Sequence, residues 1–136
     1  VDALSPEAVA AQIRAVVEDI GVQAAKTGML LNAEIIGTVA DAVEGLALPN
    51  LVVDPVMVSR TGAQLIADAA IATLQQRLLP LATVTTPNRY EAQILAQMEI
   101  QTLEAMQTAA QRIYHLGPQA VLVKGGGMPG ALRGVD

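Results

Sequence analysis

The sequence predicts an α/β protein: a mostly parallel sheet of about four strands alternating with helices, with helices over both faces. Three observations predict it. Short apolar runs without polar alternation recur along the chain, as in strands buried in a parallel sheet. Longer segments with apolar residues at helical spacing lie between them, and Gly, Pro and Asn separate the two kinds of segment.

Ser5-Pro6-Glu7 reads as a helix start, with a capping hydroxyl, proline at the first helical position and an acid in the first turn. Val9, Ile13, Val16, Val17 and Ile20 follow at helical spacing, and Gly21 ends the run. Val22 to Lys26 is short and mostly apolar, and reads as the first strand. Asn32 can cap a second helix with Ile35, Ile36, Val39, Ala40 and Val43 on one face. Beyond Pro49-Asn50, Leu51-Val52-Val53 is the second strand. A loop around Ser59 to Gly62 leads to a third helix over Asp68 to Leu79, stopped by Pro80. The third strand covers Ala82 to Thr85, and a fourth helix starts at Asn88. Thr102 begins a fifth, with Met106, Ala110 and Ile113 inward, and Ala120 to Val123 is the fourth strand.

Composition narrows the function. Hydrophobic residues make up 52% of the 136, without Trp or Phe, so the core is built from Ala, Val, Leu, Ile and Met. Charged residues are sparse at 15% and the net charge is −5, which argues against nucleic acid as a partner, since a phosphate backbone needs a dense basic surface. With no cysteine, thiolate metal sites and a thiol nucleophile are excluded within the chain. No apolar run approaches the ~20 residues of a membrane span. A soluble, cytoplasmic protein without a membrane partner is the expectation.

In a parallel sheet all strands end along one edge, and ligands bind beside it. Before the expected strands stand plain turn formers: Gly21, Pro49-Asn50, Pro80-Leu81 and Gly117-Pro118. After them stand Lys26-Thr27-Gly28-Met29, Asp54-Pro55-Val56-Met57, Thr86-Pro87-Asn88 with Glu91, and Lys124 with three glycines. Four of the eight cationic residues, Lys26, Arg60, Arg89 and Lys124, fall on or near this edge of an acidic chain. The asymmetry predicts a site for an anion.

Asn88 and Glu91 have the spacing of a capping box, and the same spacing sets an amide and a carboxylate where hydrated Mg²⁺ and phosphates could sit at a helix N-terminus. The two readings are compatible. Asp54 is either a turn residue or an acid that helps hold Mg²⁺. Lys124 is either a snorkelling surface residue or a cation for a transferring phosphoryl group. Met29, Val56 and Met57 are either core or the apolar wall of a pocket. His115 has no local partner for metal or triad chemistry and reads as structural. Gly125 to Gly130 spells G-x-G-x-x-G, but Pro129 interrupts the would-be helix start, so the dinucleotide reading is rejected; no P-loop motif occurs.

Four motifs then appear in order: Lys26-Thr27-Gly28-Met29-Leu30, Asp54-Pro55-Val56-Met57-Val58, Thr86-Pro87-Asn88 with Glu91, and Lys124-Gly125-Gly126. Together they resemble hydroxymethylpyrimidine/phosphomethylpyrimidine kinase of the ribokinase-like superfamily. The resemblance implies a three-layer α/β/α fold, ATP and Mg²⁺ as cofactors, and thiamine synthesis as the setting. It implies γ-phosphoryl transfer to a small pyrimidine and then to its monophosphate. By position it makes Asp54 and Lys124 catalytic, and Asn88, Glu91 and Lys124 nucleotide-binding. It makes Asp54 and Glu91 metal-binding, and Met29 and Val56 substrate-binding. A homodimer is implied for full-length members. Two departures stand out: Gly127 replaces the usual His, and the chain is about half the usual length. An amino-terminal substrate segment and a carboxyl-terminal anion hole are therefore expected to be missing from residues 1–136, leaving the piece inactive alone. A pyridoxal-kinase-like enzyme and a non-catalytic interaction module remain the alternatives.

Overall fold

The computed structural model describes residues 4–59 and 63–136. Arg60 and the tip of the loop at 60–62, expected near the anion edge, lie outside the described residues.

Helix α1 spans Pro6–Asp19, opened by Ser5, whose hydroxyl accepts from the Ala8 N–H, and closed where Gly21 turns to a φ of +79°. Strand β1 (Ala25–Thr27) follows, shifted from the expected Val22–Lys26 because the pairing partner begins at Leu51. Helix α2 spans Ala33–Gly45 under the Asn32 cap, and buries Ile35, Ile36, Val39, Ala40 and Val43, the face read from the sequence. Strand β2 (Leu51–Val53) and strand β3 (Val84–Thr85) flank helix α3 (Asp68–Thr73). The helical path continues past α3 as a π-turn, Leu74–Leu78, and a 3₁₀ turn, Leu79–Leu81. Pro80 has no N–H and its ring clashes with the carbonyl four residues back, so regular winding stops there. The last bond before it is from Leu79 N–H to the Leu74 carbonyl, five residues back.

Helices α4 (Arg89–Ala96) and α5 (Leu103–Tyr114) complete the element order. In α5, Met106, Ala109 and Ile113 are buried while Ala110 is half-buried against the core.

The sheet is parallel with order β1-β2-β3, in the register Ala25–Leu51, Thr27–Val53 and Val53–Thr85. The expected fourth strand runs parallel beside β3 without becoming a regular strand. Thr85 N–H donates to Ala120, Leu122 N–H to Thr85, and Lys124 N–H to Pro87. Pro87 occupies the position whose N–H would extend this ladder, and it has none to give.

Leu51, Val53, Thr85 and Val123 share the buried face of the sheet and join one apolar core with Ile36, Val39, Leu78, Ala92 and Ile113. The opposite face carries Lys26, Val52, Val84 and Leu122. Lys26 and Leu122 are exposed there and the two valines half-buried. The expectation of helices over both faces is met on one face among the described residues. Strand order follows chain order, and right-handed crossovers stepping in one direction deliver every connecting helix to the same side.

Candidate active site

The candidate site is the carboxyl edge of the sheet. Asp54 follows β2, where its N–H donates to the Thr27 carbonyl across the strand pair. Its carboxylate is one-fifth exposed and meets two ammonium groups: Lys124 Nζ lies 3.2 Å from Oδ1 and Lys26 Nζ lies 3.7 Å from Oδ2. Lys124 reaches across β3 to make this contact.

Glu91 lies in the first turn of α4 and is 2% exposed. The capping box is formed: Asn88 Oδ1 accepts from Glu91 N–H at 2.9 Å, and Glu91 Oε2 accepts from Asn88 N–H at 2.9 Å. The other carboxylate oxygen accepts from Met57 N–H at 3.3 Å, so one side chain ties the loop after β2 to the start of α4. Burial raises the Glu91 pKa above the usual carboxylate value; the two backbone N–H groups and nearby Lys124 oppose that rise, and Asp54 adds to it.

The structure thus joins Asp54 to Lys124, and Glu91 to Asn88 and the Met57 backbone. It also brings in Lys26, a residue counted on this edge from sequence but given no role. Met29 stands 45% exposed after β1, while Val56 is half-buried and Met57 fully buried, so Met57 belongs to the core. Arg89, expected to contribute positive charge, is spent on structure. Its Nε donates to the Ile100 carbonyl at 2.7 Å, its Nη1 donates to the Gly127 carbonyl at 3.2 Å, and its guanidinium lies over Tyr90. Sequence periodicity gave no sign of this, since the carbonyls come from two distant turns. His115 is exposed and its Nδ1 contacts the Gln111 carbonyl one turn back.

Lys124 opens a 3₁₀ turn, Gly125–Gly127, with no α-helix after it. Gly125 is packed so tightly that a Cβ would collide with the Val135 backbone. At Gly127 a Cβ would meet Arg89 and Tyr90 at ordinary contact distance, 3.5 and 3.6 Å, so a side chain is sterically admissible there.

Among the described residues no three His, Cys, Asp or Glu side chains cluster as a protein-only metal cage. Mg²⁺ does not require one, because it keeps several waters and needs only one or two carboxylates beside substrate phosphates. Asp54 fits that requirement by its partial exposure. Glu91 is committed to two backbone donors, and a direct metal bond must share those same oxygens.

Residues 1–135 match the family model described as phosphomethylpyrimidine kinase. Over all 136 residues the chain is 60% identical to a hydroxymethylpyrimidine/phosphomethylpyrimidine kinase of Synechococcus elongatus, covering 51% of that relative. The fold superposes on the crystal structure of phosphomethylpyrimidine kinase from Clostridium difficile with a TM-score of 0.88 at 37% identity, covering 95% of this chain and 56% of the other. It also superposes on an ADP complex of Bacillus subtilis pyridoxal kinase with a TM-score of 0.85 at 36% identity, covering 95% and 47%. The chain spans about half the length of the relatives it matches. No helix among the described residues is long and apolar enough to cross a membrane. With a ribokinase-like α/β fold and a family match along nearly its whole length, the chain belongs to the phosphomethylpyrimidine kinase family.

Proposed function

We propose that this chain is the central, phosphate-handling part of a hydroxymethylpyrimidine/phosphomethylpyrimidine kinase of thiamine diphosphate synthesis. The substrate would be 4-amino-5-hydroxymethyl-2-methylpyrimidine and then its monophosphate, with ATP as donor. The observation that carries the reading is the meeting of Asp54, Lys124, Asn88 and Glu91 at one sheet edge of a chain in this family.

In the reaction, the substrate hydroxyl oxygen bonds to the γ-phosphorus, the bond from that phosphorus to the bridging oxygen breaks, and ADP leaves. The hydroxyl proton would pass to a general base. Lys124 would neutralise charge on the phosphoryl oxygens, the main task in such a transfer. Asn88 would present its amide beside the N-terminus of α4, where backbone N–H groups favour anions. Glu91 would hold the two loops in register. Asp54 would hold Lys124 in place and be the carboxylate nearest a hydrated Mg²⁺, with Glu91 behind it; the ion supplies charge neutralisation when bound. Met29 and Val56 would flank the pyrimidine ring. The whole protein would work in the cytoplasm, as a homodimer.

The test is to titrate the 136-residue chain with Mg²⁺-ATP and to assay it for pyrimidine phosphorylation. Nucleotide binding without turnover is expected, because the chain spans only about half the length of the relatives it matches. Turnover by the chain alone would place the active site elsewhere. The similarity to a pyridoxal kinase supports a second reading, in which pyridoxal is the substrate. Competition between the pyrimidine and pyridoxal in the whole protein separates the two. In a non-catalytic interaction module, Mg²⁺-dependent nucleotide binding would be missing.

A further inference from the structure

Lys26 and Lys124 are the only lysines in the sequence, whose six other cationic residues are arginines. They lie 98 residues apart, yet both ammonium groups end at the Asp54 carboxylate, one on each oxygen. The exposures of the trio are ordered. Asp54 is 21% exposed, Lys124 37% and Lys26 61%, so the anion lies behind and the two cations face outward. Two positive charges on one negative leave this trio with a net charge of +1 in a chain whose total is −5, with the Glu91 carboxylate buried nearby. Arg89, the next cation on this side, is held by the Ile100 and Gly127 carbonyls. Lys26 is also held, since its Nζ donates to the Thr27 carbonyl at 3.4 Å, and no carboxylate other than Asp54 pairs with it among the described residues. An ammonium is a compact charge with three donors, so each lysine retains N–H groups for a further acceptor after meeting Asp54.

We infer that Lys26 and Lys124, spaced by Asp54, form a paired ammonium cradle for a phosphoryl-bearing small molecule, and that Lys26 is its second phosphate contact. The inference rests on the kinase reading of the same edge and adds to it a residue that reading leaves without a role. Asp54 then has a second duty beyond any metal: it offsets the mutual repulsion of two ammonium groups while no ligand is present.

The test uses the fact that there are two lysines. In the 136-residue chain grown with lysine labelled with ¹³C at Cε, two side-chain signals report the two residues separately. Inorganic pyrophosphate is the probe, with sodium chloride at matched ionic strength as the control. The cradle predicts that both signals move with one common dissociation constant, and that Lys26→Met weakens pyrophosphate binding about tenfold, the usual scale for one charged hydrogen bond. Lys26 is exposed, so the substitution leaves the fold intact. Separate titrations with ADP and with the pyrimidine monophosphate then tell which phosphoryl source each lysine faces; either assignment that moves both lysines supports the cradle. Movement of Lys124 alone would overturn the role of Lys26 and leave the kinase reading standing. Movement of neither would overturn both, and equal movement with chloride would reduce the effect to screening.

Discussion

Glu91 is ionisable and nearly inaccessible, and the cost of burying it is offset by N–H groups from Met57 and Asn88. Replacing it by alanine leaves both buried donors without an acceptor. A loss of about 2 kcal/mol in unfolding free energy is expected, read from denaturant midpoints. The pH dependence has a definite sign. Burial raises the folded-state pKa above 4.5, so the folded chain takes up a proton more readily than the unfolded one. The stability that Glu91 contributes is therefore full below about pH 4.5 and declines as pH rises through its folded pKa. Measured against Glu91→Gln, the native chain should lose its relative advantage as pH climbs from 4.5. A growing advantage would contradict burial as the dominant influence. Thr27 offers the reverse case: its hydroxyl is buried without a hydrogen-bond partner, so Thr27→Val should stabilise by up to about 1 kcal/mol in the same measurement. The capping box was legible from the spacing of Asn88 and Glu91. The bond from Met57 to Glu91 was not, because local pattern carries no information about a contact 34 residues away.

The helices were more legible than the strands. Ser5, Asn32, Asn88 and Thr102 each cap the helix expected to follow, because capping is a local interaction between a side chain and an N–H three residues on. Strand ends depend on the partner strand, so β1 begins three residues late and the Ala120–Val123 segment stops at isolated bridges where Pro87 withholds its N–H. Gly117 shows how tightly the elements are joined. At a φ of +115° it passes so close to Pro80 that a Cβ would lie 2.9 Å from the proline Cα. Gly117→Ala should therefore cost about 2 kcal/mol or more, combining an unfavourable φ with a backbone collision. A change in thermal midpoint within error would show that the turn after α5 can move away from Pro80.

At the scale of the molecule, the sequence carried the direction of the strands, and with it the edge on which Asp54, Asn88, Glu91 and Lys124 gather. It did not carry the one-sided placement of the helices, which follows from strand order and not from any local pattern. That placement leaves Leu122 exposed on the open sheet face, while Val16 and Ile20 are exposed on and just after α1 and β1 has no second neighbour among the described residues. Open apolar surface and a free strand edge favour association. The 136-residue chain should self-associate with rising concentration in light scattering, and a stable monomer would contradict this. The central claim is that phosphate is handled at the carboxyl edge. Backbone amide shifts on addition of Mg²⁺-ADP test it most directly. Shifts gathered at residues 54–57, 88–91 and 124–127 are predicted, with the opposite ends at 21–24, 47–50 and 79–81 unmoved; shifts gathered at those opposite ends would contradict it.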